Sequence, residues 1–281
     1  MSRRPSLGDR LLRVWGVAVF VFLFAPIAVV VAHSFNTGRL MAQWSGFGFD
    51  AYHAMLDKPA IPAAVWVSVR SGLIAAVVST VLGTLAGIAL ARFGGRWSLP
   101  FVLLLIVLSV TPEIVDAVAL LPWMVFLGQD VGLSPLDDGI VRLVIGHSLF
   151  ATAVVTFLVR ARLTGVEAHL EEASADLYAP PWRTFRKITL PLVMPAVLAG
   201  ALLSFTLSLD NTVISAFVQV SGATPWPVFV LSALRSGLRP EIAAVSTVMM
   251  IFTLITLSLA ALILRRAGDS ATDIARTMSG T

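Results

Sequence analysis

The chain has 281 residues, of which 57% are hydrophobic and 13% are charged. Soluble domains carry about 25% charged residues, so a soluble fold of this size could not bury so much apolar surface. The absence of cysteine excludes disulfides and thiolate metal sites. The net charge of +4 would fit nucleic-acid binding, but the arginines flank apolar segments, as lipid-flanking charges do.

Long uncharged segments predict an all-α polytopic membrane protein. A spanning helix needs about 20 mostly apolar residues, and the pattern predicts about six such helices. Glu113 and Asp116 interrupt the third span, and Gly222, Pro225 and Pro227 predict an irregular, folded-back segment before the last one. We predict one transmembrane domain over residues 1–281, with spans near 13–33, 69–91, 98–127, 141–160, 190–209 and 242–264.

The distribution of lysine and arginine predicts the orientation, because these residues favour the cytoplasmic side of a membrane. With a cytoplasmic N-terminus, most of them fall inside, and the outer side receives only Arg39, Lys58, Arg70, Arg142, Arg235 and Arg239. Both termini are therefore predicted to be cytoplasmic. The first apolar segment exceeds the 7–15 residues typical of a signal-peptide core, so we favour an uncleaved span over a cleaved signal.

The loop between the fourth and fifth spans, residues 161–189, is too regular for a flexible linker. Good helix formers with a one-sided apolar stripe occupy 167–177. Pro180 and Pro181 end that helix and can begin the next one, in which Trp182 and Phe185 stand at helical spacing. A rigid, exposed element of this kind suits docking into a groove on a partner. The alternative is an ordinary, positively charged helical loop.

The same loop resembles a known family motif. Glu172-Ala173-Ser174, followed by Ile188-x-Leu190-Pro191, is similar to the cytoplasmic "EAA" loop of permease subunits of bacterial binding-protein-dependent ABC importers. The family has a second alanine where this chain has Ser174, and a glycine where it has Tyr178. A glycine permits a left-handed helix end, so Tyr178 leaves the shape of the turn open, and Pro180-Pro181 could impose the corner instead.

This resemblance implies a type I ABC importer permease (MetI-like) fold in the bacterial inner membrane. It also implies that the loop forms a coupling helix seated in a cleft of a cytoplasmic ATPase. The residues implied to form this coupling loop are Glu172, Ala173, Ser174, Asp176, Leu177, Ala179, Phe185, Ile188, Leu190 and Pro191.

The resemblance also implies the partners. These are an ABC ATPase dimer, a second and related permease chain, an extracytoplasmic solute-binding protein and the lipid bilayer. The sequence has neither a Gly-rich phosphate loop nor a convincing Ser/His/Asp cluster. We therefore predict no catalytic residue, no metal site, no nucleic-acid partner and no cofactor bound by this chain, with ATP used by the partner subunit.

Charged and polar residues within the spans are candidates for the substrate path, because charges in a bilayer are costly. They are Glu113, Asp116, Ser208, Asp210 and Asn211. Leu207-Ser-Leu-Asp-Asn, followed by Val213-Ile-Ser-Ala-Phe, resembles the matching stretch of polyamine permeases for spermidine or putrescine. Those permeases have two successive aspartates where this chain has Asp210 and Asn211. The resemblance implies a polyamine or a related cationic organic solute.

Other interpretations remain open at this point. Glu113 and Asp116 could pair with Arg70 or Arg142, and Asp210 could cap the segment that follows it. An ABC importer for a different solute is an alternative. An ion-gradient-driven secondary transporter is another, although inverted repeats are not evident. A purely structural membrane protein would leave the loop at 161–189 unexplained.

Overall fold

The computed structural model describes residues 7–164 and 169–266, and these residues form helices joined by loops, the longest of which follows α1. Among them, five helices are long and apolar enough to cross a membrane, and one bent pair of helices makes a sixth candidate. The prediction of an all-α fold with about six membrane helices is confirmed. The assignment of 1–281 to one transmembrane domain stays a prediction.

The helices are α1 Leu7–His33, α2 Asp50–Asp57, α3 Ala60–Arg92, α4 Ser98–Val110, α5 Glu113–Val125, α6 Gly139–Thr164, α7 His169–Asp176, α8 Pro181–Thr184, α9 Leu190–Asp210, α10 Val213–Val218, α11 Trp226–Ser236 and α12 Pro240–Arg266. Single wider π turns occupy Phe126–Asp130 and Phe185–Thr189. Helix α8, the second π turn and α9 form one stretch of 30 residues, Pro181–Asp210. The helix therefore begins well before the predicted span at 190–209.

The segment predicted as the third span is not straight. Helices α4 and α5 meet at an angle of 104°. Proline lacks an N–H and forces the residue before it into extended backbone. Thr111, just before Pro112, has φ −60° and ψ 130°, and Glu113 begins the next helix. The bend places Glu113 and Asp116 in the first turn of α5 instead of within a continuous span.

The described residues divide into two compact units. One contains the residues up to Pro62 together with Ser232–Phe252, and the other contains Ala63–Leu231 and the residues from Thr253 onward. In the first unit, the buried Asn36 organises the loop after α1 by donating to the Gln43 carbonyl at 2.8 Å and accepting from Ser45 N at 2.9 Å. Lys58 and the buried Glu241 form an ion pair in the same unit.

The second unit is built around α6. Its buried residues Val155 and Val159 pack with Val193 and Ala196 of α9 and with the C-terminal part of α12. Leu143, nearer the start of α6, packs with parts of α5 and α10. Helix α6 therefore contacts most of the helices that carry candidate functional residues.

Two glycines allow α3 to approach α6 closely. A Cβ atom on Gly83 would lie 2.6 Å from Cβ of Val155, and one on Gly87 would lie 2.8 Å from the Thr156 carbonyl oxygen. Either distance is far inside van der Waals contact, so the approach requires glycine at both positions. Small residues commonly serve this purpose between membrane helices.

Candidate functional site

Helices α7 and α8 form a tight hairpin, which we call the α7–α8 hairpin (residues 169–184). It occupies the predicted coupling loop, of which residues 165–168 lie outside the described part of the chain. Helix α7 ends in a left-handed turn in which Tyr178 N donates to the Ala175 carbonyl at 2.9 Å and Ala179 N donates to the Ser174 carbonyl at 3.1 Å. This pair of bonds is the Schellman motif that commonly ends a helix.

Tyr178 occupies the position in that motif where glycine is usual. Its φ is +57°, the only positive value at a non-glycine among the described residues. The left-handed conformation costs a residue with a Cβ about 1–2 kcal/mol. The turn expected of the family is thus retained without the glycine, and Pro180 begins the next helix in extended backbone, with φ −64° and ψ 147°.

Ser174, which replaces the family's second alanine, bonds across the hairpin. Its side chain is buried, and its Oγ lies 2.7 Å from Oγ1 of Thr184 in α8. An alanine at this position could not make that bond. The two halves of the hairpin are therefore joined by a side-chain hydrogen bond in addition to the turn itself.

Glu171, which the sequence did not single out, is the carboxylate that ties the hairpin to the helices around it. Its Oε2 lies 3.0 Å from Arg92 Nε, and its Oε1 accepts from Thr189 Oγ1 at 2.8 Å. Glu171 and Ser174 are three positions apart and so share one face of α7. This spacing was visible in the sequence, but the identity of the partner residues was not.

The opposite side of the hairpin is exposed to solvent. Glu172, Ala173 and Asp176 are exposed, and Leu177, Tyr178 and Trp182 expose 82%, 96% and 69% of their surface. Large apolar side chains concentrated on a short polar hairpin are typical of a surface that meets another protein. The remaining predicted coupling residues lie nearer the bundle, with Pro191 exposed and the others half-buried: Ala179, Phe185, Ile188 and Leu190.

The predicted substrate-path residues at the end of α9 divide into bonded and unbonded groups. Ser208 is buried, and its Oγ lies 2.5 Å from Nδ1 of His147. Asn211 accepts with its side-chain oxygen from Ile214 N at 3.1 Å and so caps α10. Asp210, between them, is exposed. His147 is not among the candidates predicted from the sequence, yet it holds this corner together by bonding Ser208 and Ser215.

The carboxylates Glu113, Asp116 and Asp210 share one property. Within residues 7–164 and 169–266, none of the three makes a side-chain hydrogen bond or an ion pair. Arg142, an anticipated partner, instead contacts Asp137 at 3.6 Å and donates to a backbone carbonyl. Carboxylates on apolar helices without a protein partner are suited to bind a cationic ligand.

A cleft of about 530 Å³ lies where the first turns of α3 and α6 meet the loop after α10. Trp66 and Arg70 of α3 and Asp138 before α6 line it, together with Val220 and Ser221 of that loop. None of the three unbonded carboxylates lines this cleft. The structure therefore separates the cleft from the predicted substrate-path residues.

Comparison with known proteins identifies the family of this chain. Residues 79–273 match the family model described as binding-protein-dependent transport system inner membrane component. The putrescine transport system permease protein PotI of Escherichia coli is 38% identical over 232 residues, covering 82% of each chain. The spermidine/putrescine transport system permease protein PotC of Haemophilus influenzae is 34% identical over 248 residues, covering 88% of this chain and 94% of PotC.

The fold is similar to that of a solved bacterial alginate ABC transporter in complex with an alginate-bound periplasmic protein. The TM-score is 0.68 at 13% identity, covering 92% of this chain and 94% of the matched one. At this identity the likeness concerns the fold alone, and it confirms the predicted type I importer permease architecture. The chain belongs to the family of inner membrane components of binding-protein-dependent transport systems.

Proposed function

We propose that this chain is the permease subunit of an ATP-driven importer that carries a polyamine, such as putrescine or spermidine, into the cell. The observation that carries the proposal is the α7–α8 hairpin, which is rigid on its bonded side and apolar on its exposed side. The names of PotI and PotC support the choice of solute class.

The exposed side of the hairpin has the composition of a docking surface. Leu177, Tyr178 and Trp182 supply apolar area, and Trp182 is held by stacking on Phe185 with ring centroids 5.6 Å apart. Glu172 and Asp176 add negative charge next to them. Such a surface fits a groove with an apolar floor and basic rim, which we assign to a cytoplasmic ATPase dimer that binds and hydrolyses the ATP.

The unbonded carboxylates favour a cationic solute. Polyamines are protonated at neutral pH, so each ammonium group can be met by a carboxylate that lacks a partner among the residues that the structure describes. Asp210, Glu113 and Asp116 meet this requirement. We propose that a solute-binding protein delivers the polyamine and that a second, related permease chain completes the path.

The positive-inside rule supports the orientation. Arg92 at the end of α3, Arg162 near the end of α6, Lys187 before α9, and Arg265 and Arg266 at the end of α12 would all lie on the cytoplasmic side. We therefore propose that the α7–α8 hairpin lies inside the cell, in a multi-pass inner-membrane topology with both termini cytoplasmic.

The test is reconstitution of the chain with its ATPase, partner permease and solute-binding protein in proteoliposomes. Uptake of radiolabelled putrescine should require ATP inside the vesicles. Glu172→Lys should insert normally but lose ATPase co-purification, whereas Asp57→Lys, the same charge change at an exposed position outside the hairpin, should not. Uptake without ATP that collapses with an ion gradient would identify a secondary transporter instead.

A further inference from the structure

Three side chains from separate helical segments meet at the base of the α7–α8 hairpin. Arg92 is the last residue of α3, Glu171 lies in the first turn of α7, and Thr189 immediately precedes α9. Arg92 Nε lies 3.0 Å from Glu171 Oε2 and 3.2 Å from Oε1, and Thr189 Oγ1 donates to Oε1 at 2.8 Å. Both oxygens of one carboxylate are thereby used to bind two other helical segments.

The pair is sheltered from solvent. The Arg92 and Glu171 side chains are 17% and 27% exposed, and Thr189 is buried. Charge-assisted hydrogen bonds are stronger than neutral ones, and partial burial reduces their screening by salt. Arg92 and Glu171 are therefore expected to hold their contact under conditions in which a surface ion pair would exchange freely.

The α7–α8 hairpin is connected to α3 and to α9 in different ways. Helix α8 runs through the π turn directly into α9, so displacement of the hairpin reaches α9 through the backbone. Helix α3 has no such continuity with the hairpin, and Arg92 joins it to α7 by side chains. Helix α3 is also the helix that packs closely on α6 through Gly83.

We propose that the Arg92–Glu171 pair passes displacement of the α7–α8 hairpin to α3, so that α3 and α9 move together when the hairpin moves. The proposal rests on the function proposed above, because it assumes that the hairpin is displaced by an ATPase. Arg92 and Glu171 act as positioning residues in this scheme and contact neither nucleotide nor solute. Their loss should separate ATP hydrolysis from transport without preventing ATPase docking.

The experiment measures ATPase co-purification, ATP hydrolysis and putrescine imported per ATP in the complete reconstituted transporter. Arg92→Gln and Glu171→Gln should retain the ATPase and its hydrolysis, while putrescine imported per ATP falls about fivefold or more, as expected for loss of a coupling interaction. The exchanged pair Arg92→Glu with Glu171→Arg should recover much of that ratio. Arg96→Gln removes the same charge from an exposed site just after α3 and should match the unaltered protein.

Two results would overturn the proposal. One is an unchanged ratio in both single variants. The other is loss of ATPase co-purification, which would mean that the pair shapes the docking surface and does not pass on motion. If either variant fails to assemble, Arg92→Lys, which keeps the positive charge but removes the Nε donor to Glu171, decides between the same two outcomes. Failure of the unaltered chain to bind an ATPase would instead refute the proposed function.

Discussion

His147 Nδ1 lies 2.5 Å from Ser208 Oγ, and the other ring nitrogen lies 2.9 Å from Ser215 Oγ. One histidine of α6 therefore bonds the end of α9 and the middle of α10, on either side of the break that follows Asp210. All three bonded side chains are buried. The corner that presents Asp210 is thus fixed by polar contacts as well as by packing.

We expect His147→Phe to destabilise the chain, because two buried hydroxyls would lose their partner. An unsatisfied buried polar group costs about 1–3 kcal/mol. Thermal unfolding in detergent should therefore shift to lower temperature, and putrescine uptake should fall while ATPase co-purification is retained. His53→Phe is the control, since His53 is exposed and, among the described residues, its ring bonds only to the Phe49 carbonyl. Equal stability of the two variants would contradict the role given to His147.

The second prediction concerns the left-handed turn at Tyr178. Tyr178→Gly should stabilise the end of α7 by about 1 kcal/mol, because glycine adopts positive φ without the steric cost that a Cβ brings. Tyr178→Ala removes the same ring but keeps the cost, so the difference between the two variants isolates the backbone term. Hydrogen exchange at the Ala179 amide, which closes the turn, should slow in the glycine variant alone. Equal exchange in both variants would argue against strain at this position.

The sequence predicted those structural features that depend on local composition. The apolar segments marked the long helices, and the proline pair marked the hairpin corner. The 104° bend at Pro112 was missed because the apolar pattern resumes beyond it, so a hydropathy reading joins two helices into one span. Arg92 and Glu171 lie 79 positions apart, and His147 and Ser208 lie 61 apart. Such pairs depend on how helices pack, which local pattern does not encode.

The third prediction concerns the close packing of α3 on α6. Gly83→Ala should destabilise the chain by about 1–3 kcal/mol, the usual cost of inserting a group into a packed interface, because its Cβ would lie 2.6 Å from Val155 Cβ. Gly16→Ala in α1 is the matched control, since nothing lies within 4 Å of a Cβ there. That control should be neutral or stabilising, because alanine favours helix over glycine by about 1 kcal/mol. Similar melting temperatures for the two variants would refute the contact.

The fourth prediction separates two roles of Asn211, one in the substrate path and one in capping α10. Its side-chain oxygen accepts from Ile214 N at 3.1 Å and Ser215 N at 3.4 Å. Asn211→Asp keeps an acceptor in the same place and adds negative charge beside Asp210, which also favours a helix N-terminus. Asn211→Leu removes the acceptor and should cost about 0.5–2 kcal/mol, as loss of a helix cap does.

The two substitutions should therefore behave oppositely. Asn211→Asp should melt at or above the temperature of the unaltered chain and should lower the KM for putrescine, because a dication would meet two neighbouring carboxylates. Asn211→Leu should melt lower. A competition assay between putrescine and a monoamine such as butylamine would then separate charge from stability, since the added carboxylate should favour the dication over the monocation. If Asn211→Asp leaves that preference unchanged, the corner between α9 and α10 does not face the solute.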